Sequence, residues 1–169
     1  MKALILVGNG FEDSEFFYPY YRLKEEGISV DVASPGGEKV SGKHGYSFEA
    51  NRSISDVKAA DYDLLVLPGG KGPESVRLEP NAVKVTKEIF EADKTVAAIC
   101  HGVLVLISAD VLRGRKGTCW KGVRDDMKVA GAEYQDREVV VDGNLITSRQ
   151  PDDLPAFCRE VFAAIRQPA

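Results

Sequence analysis

Only three of the 169 residues are cysteine, and no two of them form a CxxC pair. An odd, scattered set supports neither a disulfide framework nor a thiolate zinc site, so each cysteine is judged by its own surroundings. Histidine is scarcer still, with His44 and His101 alone. Without clustered carboxylate or thiolate ligands around them, no dedicated transition-metal site is expected. No apolar run approaches the ~18 residues of a membrane span, and the start MKALILVGNGFED lacks the basic stretch and cleavage site of a secretion signal. A Lys/Arg stripe is missing too. The 22 basic and 26 acidic residues leave a formal charge of −4, which offers no footprint for nucleic acid or anionic lipid. These absences set the expectation of a cytoplasmic protein with no cofactor, no metal, no nucleic-acid partner and no membrane contact.

What is present describes one globular domain over residues 1–169. Hydrophobic residues at 44% and charged residues at 28% are ordinary for such a domain, and a chain of this length buries a sizeable core without staples. Short apolar runs at Ala3 to Val7, Ile28 to Ala33, Leu64 to Leu67 and Thr95 to Ile99 are flanked by Gly, Pro or Asp and alternate with stretches of helical period. That pattern predicts a three-layer α/β sandwich of flavodoxin-like type, a mainly parallel sheet with helices on both faces. Phe16, Phe17, Tyr20, Tyr21 and Leu23 recur at spacings of three and four before Gly27, a helix stop. The nearly continuous apolar stretch GVLVLISADVL predicts a helix buried centrally against the sheet. Asp142-Gly143-Asn144 reads as a tight turn, and Leu154, Phe157, Cys158, Val161, Phe162 and Ile165 share one face of a last helix.

In such sheets ligands bind beyond the carboxyl ends of the strands, and three of those ends carry unusual sequences. Gly8-Asn9-Gly10-Phe11-Glu12-Asp13 lacks the third glycine of a dinucleotide fingerprint, and its acidic residues would repel a pyrophosphate. Taken alone, Glu12 and Asp13 complement a helix dipole. Pro68-Gly69-Gly70-Lys71-Gly72 is not a phosphate loop, but adjacent glycines allow a backbone N–H to face a cleft. Ala97-Ala98-Ile99-Cys100-His101-Gly102 joins a strand to a helix through one residue, with small side chains two positions either side of Cys100. This spacing matches a nucleophile elbow. A cysteine at a helix N-terminus is expected to have a lowered thiol pKa, and His101 beside it can serve as base or acid. Cys158 fits a core role, Cys119 is less clear, and His44 has no evident partner and reads as structural.

Together these segments, with GKHGYSFEANRSISDV, DYDLLVLPGG followed by Glu74, LRGRKGT, VRDDM with GAEY, and VVDGNLITSRQPDDL, resemble the PfpI-type intracellular protease and deglycase family. The resemblance runs through nearly the whole chain in order. It implies a flavodoxin-like fold related to class I glutamine amidotransferases, and assembly as a homodimer or hexamer. It also implies Cys100 as nucleophile beside His101, Glu74 completing a triad from a neighbouring subunit, Glu12 as a protonated carboxyl next to the sulfur, and an oxyanion hole from Gly70 and the backbone of His101. With no histidine downstream of His101, an amidotransferase triad is excluded.

Two departures stand out. Val103 replaces a family proline, and Trp120 stands where tyrosine is common, placing an indole that donates but cannot accept a hydrogen bond at the expected substrate pocket. The expected activity is therefore cysteine-dependent hydrolysis of glyoxal-derived adducts, small aldehydes or peptides, with small adducts favoured for want of an extended groove. A stress protein that senses oxidants through Cys100 is the alternative.

Overall fold

The computed structural model describes residues 1–166. In chain order the elements are β1 (Lys2–Leu6), α1 (Asp13–Glu25), β2 (Ser29–Ser34), β3 (Lys39–Ser41), β4 (Ser47–Glu49), β5 (Arg52–Ser53), β6 (Leu64–Leu67), α2 (Gly72–Val76), α3 (Pro80–Glu91), β7 (Thr95–Ile99), α4 (Val103–Ser108), β8 (Lys116–Gly117), α5 (Arg124–Val129), β9 (Glu133–Tyr134), β10 (Val140–Asp142), β11 (Leu145–Ser148) and α6 (Leu154–Arg166). The main sheet has the order β10-β11-β7-β6-β1-β2-β5. Every pairing in it is parallel except β10 with β11, where Asp142 and Leu145 face each other across the expected turn.

The central strands are apolar throughout because both faces are covered, and their period-two alternation sorts side chains between two helix layers. Leu4, Leu6, Leu65, Leu67, Val96 and Ala98 join α3 and α4 on one side. Ala3, Ile5, Leu64, Val66, Ala97 and Ile99 meet α1 and α6 on the other. Each such leucine or isoleucine contributes about 1.5–3 kcal/mol relative to an exposed position. Successive connections leave β1 in opposite directions, to β2 on one flank and β6 on the other. That reversal opens a crevice beyond the carboxyl ends of β1, β6 and β7.

Gly27, with φ 73°, ends α1 as its sequence position implies. The buried residues of α1 include Glu15, Pro19 and Leu23, one helical face, so a carboxyl group occupies the apolar stripe. Over the same helix lies the β3–β4 hairpin, whose Phe48 meets Phe16 edge-to-face at 4.9 Å and Tyr20 at 5.0 Å. This aromatic packing carries the hairpin loop, residues 42–46, to the rim of the crevice.

One expectation is corrected by the structure. The apolar stretch after Cys100 forms only a tight turn over Cys100–Gly102 and the short helix α4, rather than a helix running through Leu112. Asp110 adopts φ 53° and ends the helical path, while Val111 and Leu112 are buried as irregular chain. Apolarity marked burial there, but the left-handed residue decided the length.

Candidate active site

At the end of β7 the chain turns within a single residue, and Cys100 takes φ 61°, a left-handed conformation that a residue with a Cβ adopts at a cost of roughly 1–2 kcal/mol. Such a turn requires a bare backbone alongside it. A Cβ on Gly102 would stand 2.1 Å from the Leu67 carbonyl oxygen. The glycine two positions after Cys100 is thus a packing requirement against the end of β6.

Around the Cys100 sulfur, His101 Nδ1 lies at 3.2 Å. The backbone N–H groups of His101 and Gly70 also point to the sulfur and favour its anion. Gly70 reaches this position with φ 78°, so tightly packed that a Cβ there would be 2.4 Å from the Glu12 nitrogen. His101 is held below its ordinary value, by burial first, with the Lys43 charge acting in the same direction and Glu74 opposing it. Its imidazole is therefore neutral near pH 7 and able to accept a proton.

The carboxyl group beside the sulfur is Glu15, where the resemblance implied Glu12. Glu12 stands at the N-cap of α1 in extended conformation. It faces the rim, accepting the Ser14 hydroxyl at 2.9 Å and meeting His44 Nε2 at 3.2 Å. Three residues on, Glu15 is wholly buried, and its Oε1 accepts the Gly69 N–H at 3.0 Å. Burial, then the neighbouring Glu12 charge, lifts Glu15 from 4.5 to about 8. A protonated, buried carboxyl in this place can donate to a thiolate. The sequence did carry a signal for it, since Glu15 falls on the same helical face as Pro19 and Leu23, where an apolar residue would be ordinary.

Burial works against the expected lowering of the thiol pKa. Burial, followed by the Glu15 charge, pushes Cys100 up to about 12, against the pull of the His101 and Gly70 N–H groups. The short α4 supplies little dipole, and sulfur with 7% residue exposure loses most of its hydration. When Glu15 carries its proton, the repulsive part of this shift is gone, so thiol and carboxyl titrate as a pair.

These groups line one cleft of about 620 Å³ that also takes in Glu12, Glu74, Trp120, Lys43, His44 and Lys71. Trp120 packs its side chain against both cores, and its backbone N–H donates to the Cys100 carbonyl at 3.4 Å. Glu74 of the same chain acts on His101 through its charge, yet no hydrogen bond joins them among the described residues. His44 has a partner after all, in Glu12. Cys119 and Cys158 are buried, and burial raises both thiols to about 12.

A family profile described as the DJ-1/PfpI family matches residues 1–164. The chain belongs to that family. It is 54% identical over 166 residues to Deglycase PfpI of Pyrococcus furiosus, covering 98% of this chain and 100% of the relative. It is 46% identical over 164 residues to Protein/nucleic acid deglycase 2 of Escherichia coli, with 95% of each chain covered. Among solved structures it is similar to a two-domain protein from Anabaena variabilis containing DJ-1/ThiJ/PfpI-like and ferritin-like domains, with a TM-score of 0.95 at 42% identity. That match covers 97% of this chain and about half of the other, 48%. Membership makes this DJ-1/PfpI chain a PfpI-type cysteine hydrolase with a flavodoxin-like fold. Among the described residues, no helix is long and apolar enough to cross a membrane.

Proposed function

We propose that this DJ-1/PfpI protein is a deglycase or glyoxalase-like enzyme in which Cys100 attacks the carbonyl carbon of glyoxal-type aldehydes or their adducts on side chains. The observation that carries this reading is the Cys100 elbow itself, a strained thiol with neutral His101 Nδ1 at 3.2 Å and two backbone N–H groups converging on it. The names of the relatives from Pyrococcus furiosus and Escherichia coli support the same class of substrate.

For a dicarbonyl, the thiol proton passes to His101 as the S–C bond forms, and the aldehyde oxygen takes up a proton to give a hemithioacetal. The hydrogen on the former aldehyde carbon then leaves as a proton and returns to the adjacent carbon. That carbon is reduced to an alcohol while the first is oxidised to a thioester. Water cleaves the thioester and releases a 2-hydroxy acid and the free thiol. The oxidation is internal, so no external electron carrier enters the balance. The Gly70 and His101 N–H groups would hold the developing oxygen charge. Glu15, poised to titrate near 8, supplies and recovers the mobile proton.

A small cleft with buried sulfur suits such adducts better than an extended peptide. The names of the relatives favour this reading over the redox-sensing alternative. We further infer self-association and residence in the cytoplasm. Glu74 of a partner subunit would complete the His101 hydrogen bonding that Glu74 does not supply within one chain.

The deciding comparison is wild type against Cys100→Ala on a methylglyoxal-modified thiol and on a fluorogenic peptide. The expected result is adduct turnover by wild type alone, with little peptide cleavage. Equal rates from both proteins would overturn the assignment.

A further inference from the structure

The 42–46 loop is fixed over the cleft more firmly than a hairpin tip needs. Asp13 accepts the N–H groups of His44 at 2.9 Å and Tyr46 at 3.2 Å, and the Lys43 N–H donates to the Phe11 carbonyl at 2.9 Å. A Cβ on Gly42 would collide with the Asp13 carboxylate at 2.4 Å. Both neighbours of Lys43 are thereby held, and its backbone with them. Its charge is felt by Glu15 and by His101, the two groups flanking the sulfur.

Three carboxyl groups line the same cleft, yet none lies within ion-pair distance of Lys43 or Lys71 among the described residues. Glu12 is occupied by His44 and Ser14. Glu15 is neutral at pH 7 and bonded to Gly69. Only Glu74 remains as an uncommitted carboxylate. An ammonium carried on an anchored backbone and without a counter-ion from its own chain, in a half-enclosed cleft beside a nucleophile, is built to meet an anion brought by the ligand.

We infer that Lys43, assisted by Lys71 in the same cleft, binds a carboxylate carried on the molecule that Cys100 attacks or releases. A carboxylate fits better than a phosphate, because no arginine lines the cleft and the Gly70 and His101 N–H groups are already directed at the sulfur. The inference rests on Cys100 being a reachable nucleophile and adds that it discriminates by charge.

Alkylation tests this without relying on turnover. Iodoacetate and iodoacetamide attack a thiol by the same displacement and differ in the carboxylate. The ratio of their rate constants at Cys100 of the full chain should exceed the ratio for 2-mercaptoethanol by about fivefold at low salt, the size of one exposed charge contact. It should fall toward the free-thiol ratio in about 0.5 M NaCl. Lys43→Met should abolish most of the excess, Lys43→Arg should keep it, and Lys71→Met should remove a smaller part. A wild-type ratio equal to that of the free thiol at every salt concentration, or a ratio unchanged by Lys43→Met, would overturn the subsite while leaving the nucleophile intact. Alkylation by neither reagent would overturn both. Should Lys43→Met fail to fold, the salt dependence of the wild type decides the matter.

Discussion

Glu15 and Cys100 face each other across Gly69, so closely that a single methyl group would touch both. A Cβ on Gly69 would lie 2.5 Å from Glu15 Oε1 and 2.8 Å from Cys100 Cβ, with the His101 nitrogen at 2.9 Å. The backbone of Gly69 is thus the spacer that sets the distance between the buried carboxyl and the thiol.

Gly69→Ala should therefore damage chemistry more than fold. The collision is with backbone and with two buried side chains, so the expected destabilisation is about 1–3 kcal/mol from overpacking. Displacing the carboxyl from the thiol should lower kcat by at least about tenfold, as a small misplacement of reacting groups does. Urea unfolding alongside steady-state turnover separates the two effects.

Glu15→Gln should alter how stability depends on pH. The folded carboxyl titrates at about 8 against an ordinary 4.5. Between those values the folded chain keeps a proton that the unfolded chain has released, so this group lowers unfolding free energy as pH rises from 4.5 to 8. Gln cannot titrate, and the variant should lose this decline. Melting temperatures across that range check the sign, and the pH profile of Cys100 alkylation should shift as well. An unchanged profile would count against Glu15 as the thiol's proton partner.

Cys100→Gly is expected to be more stable than Cys100→Ala by about 1 kcal/mol, because glycine takes the left-handed φ of 61° without a Cβ penalty. Both should be inactive. Chemical denaturation of the pair measures the strain stored at the elbow, and equal stabilities would show that the turn relaxes once the thiol is gone.

Asp13→Ala should free the loop that carries Lys43. Two backbone N–H groups, of His44 and Tyr46, would lose their acceptor, at about 1–3 kcal/mol if they remain shielded from water. Amide hydrogen exchange should accelerate at those two positions. For the proposed reaction, KM for an anionic substrate should rise more than KM for a neutral one.

Much of this protein was legible from residue order. Apolar runs bounded by Gly, Pro and Asp located the central strands to within a residue or so, because a strand buried on both faces must be apolar along its length. The elbow was legible because Gly102 is sterically required where β7 turns beside β6. The length of α4 was not, since an apolar stretch reports burial and is silent about where Asp110 leaves the helical region.

The carboxyl at the sulfur shows the same division. Sequence supplied two acidic residues one helical turn apart, Glu12 and Glu15, and a family pattern that pointed to the first. Only the packing of α1 against the ends of β6 and β7 decided that Glu12 faces His44 at the rim and Glu15 faces the thiol. The thiol's acidity likewise depends on tertiary packing. A helix start reads as a pKa-lowering site, but burial of Cys100 among Gly69, Glu15 and His101 outweighs a helix of one and a half turns, since desolvation of sulfur acts at full strength where the dipole is short. The chain order fixed which residues could meet at the strand ends, and tertiary packing fixed which of them share a proton.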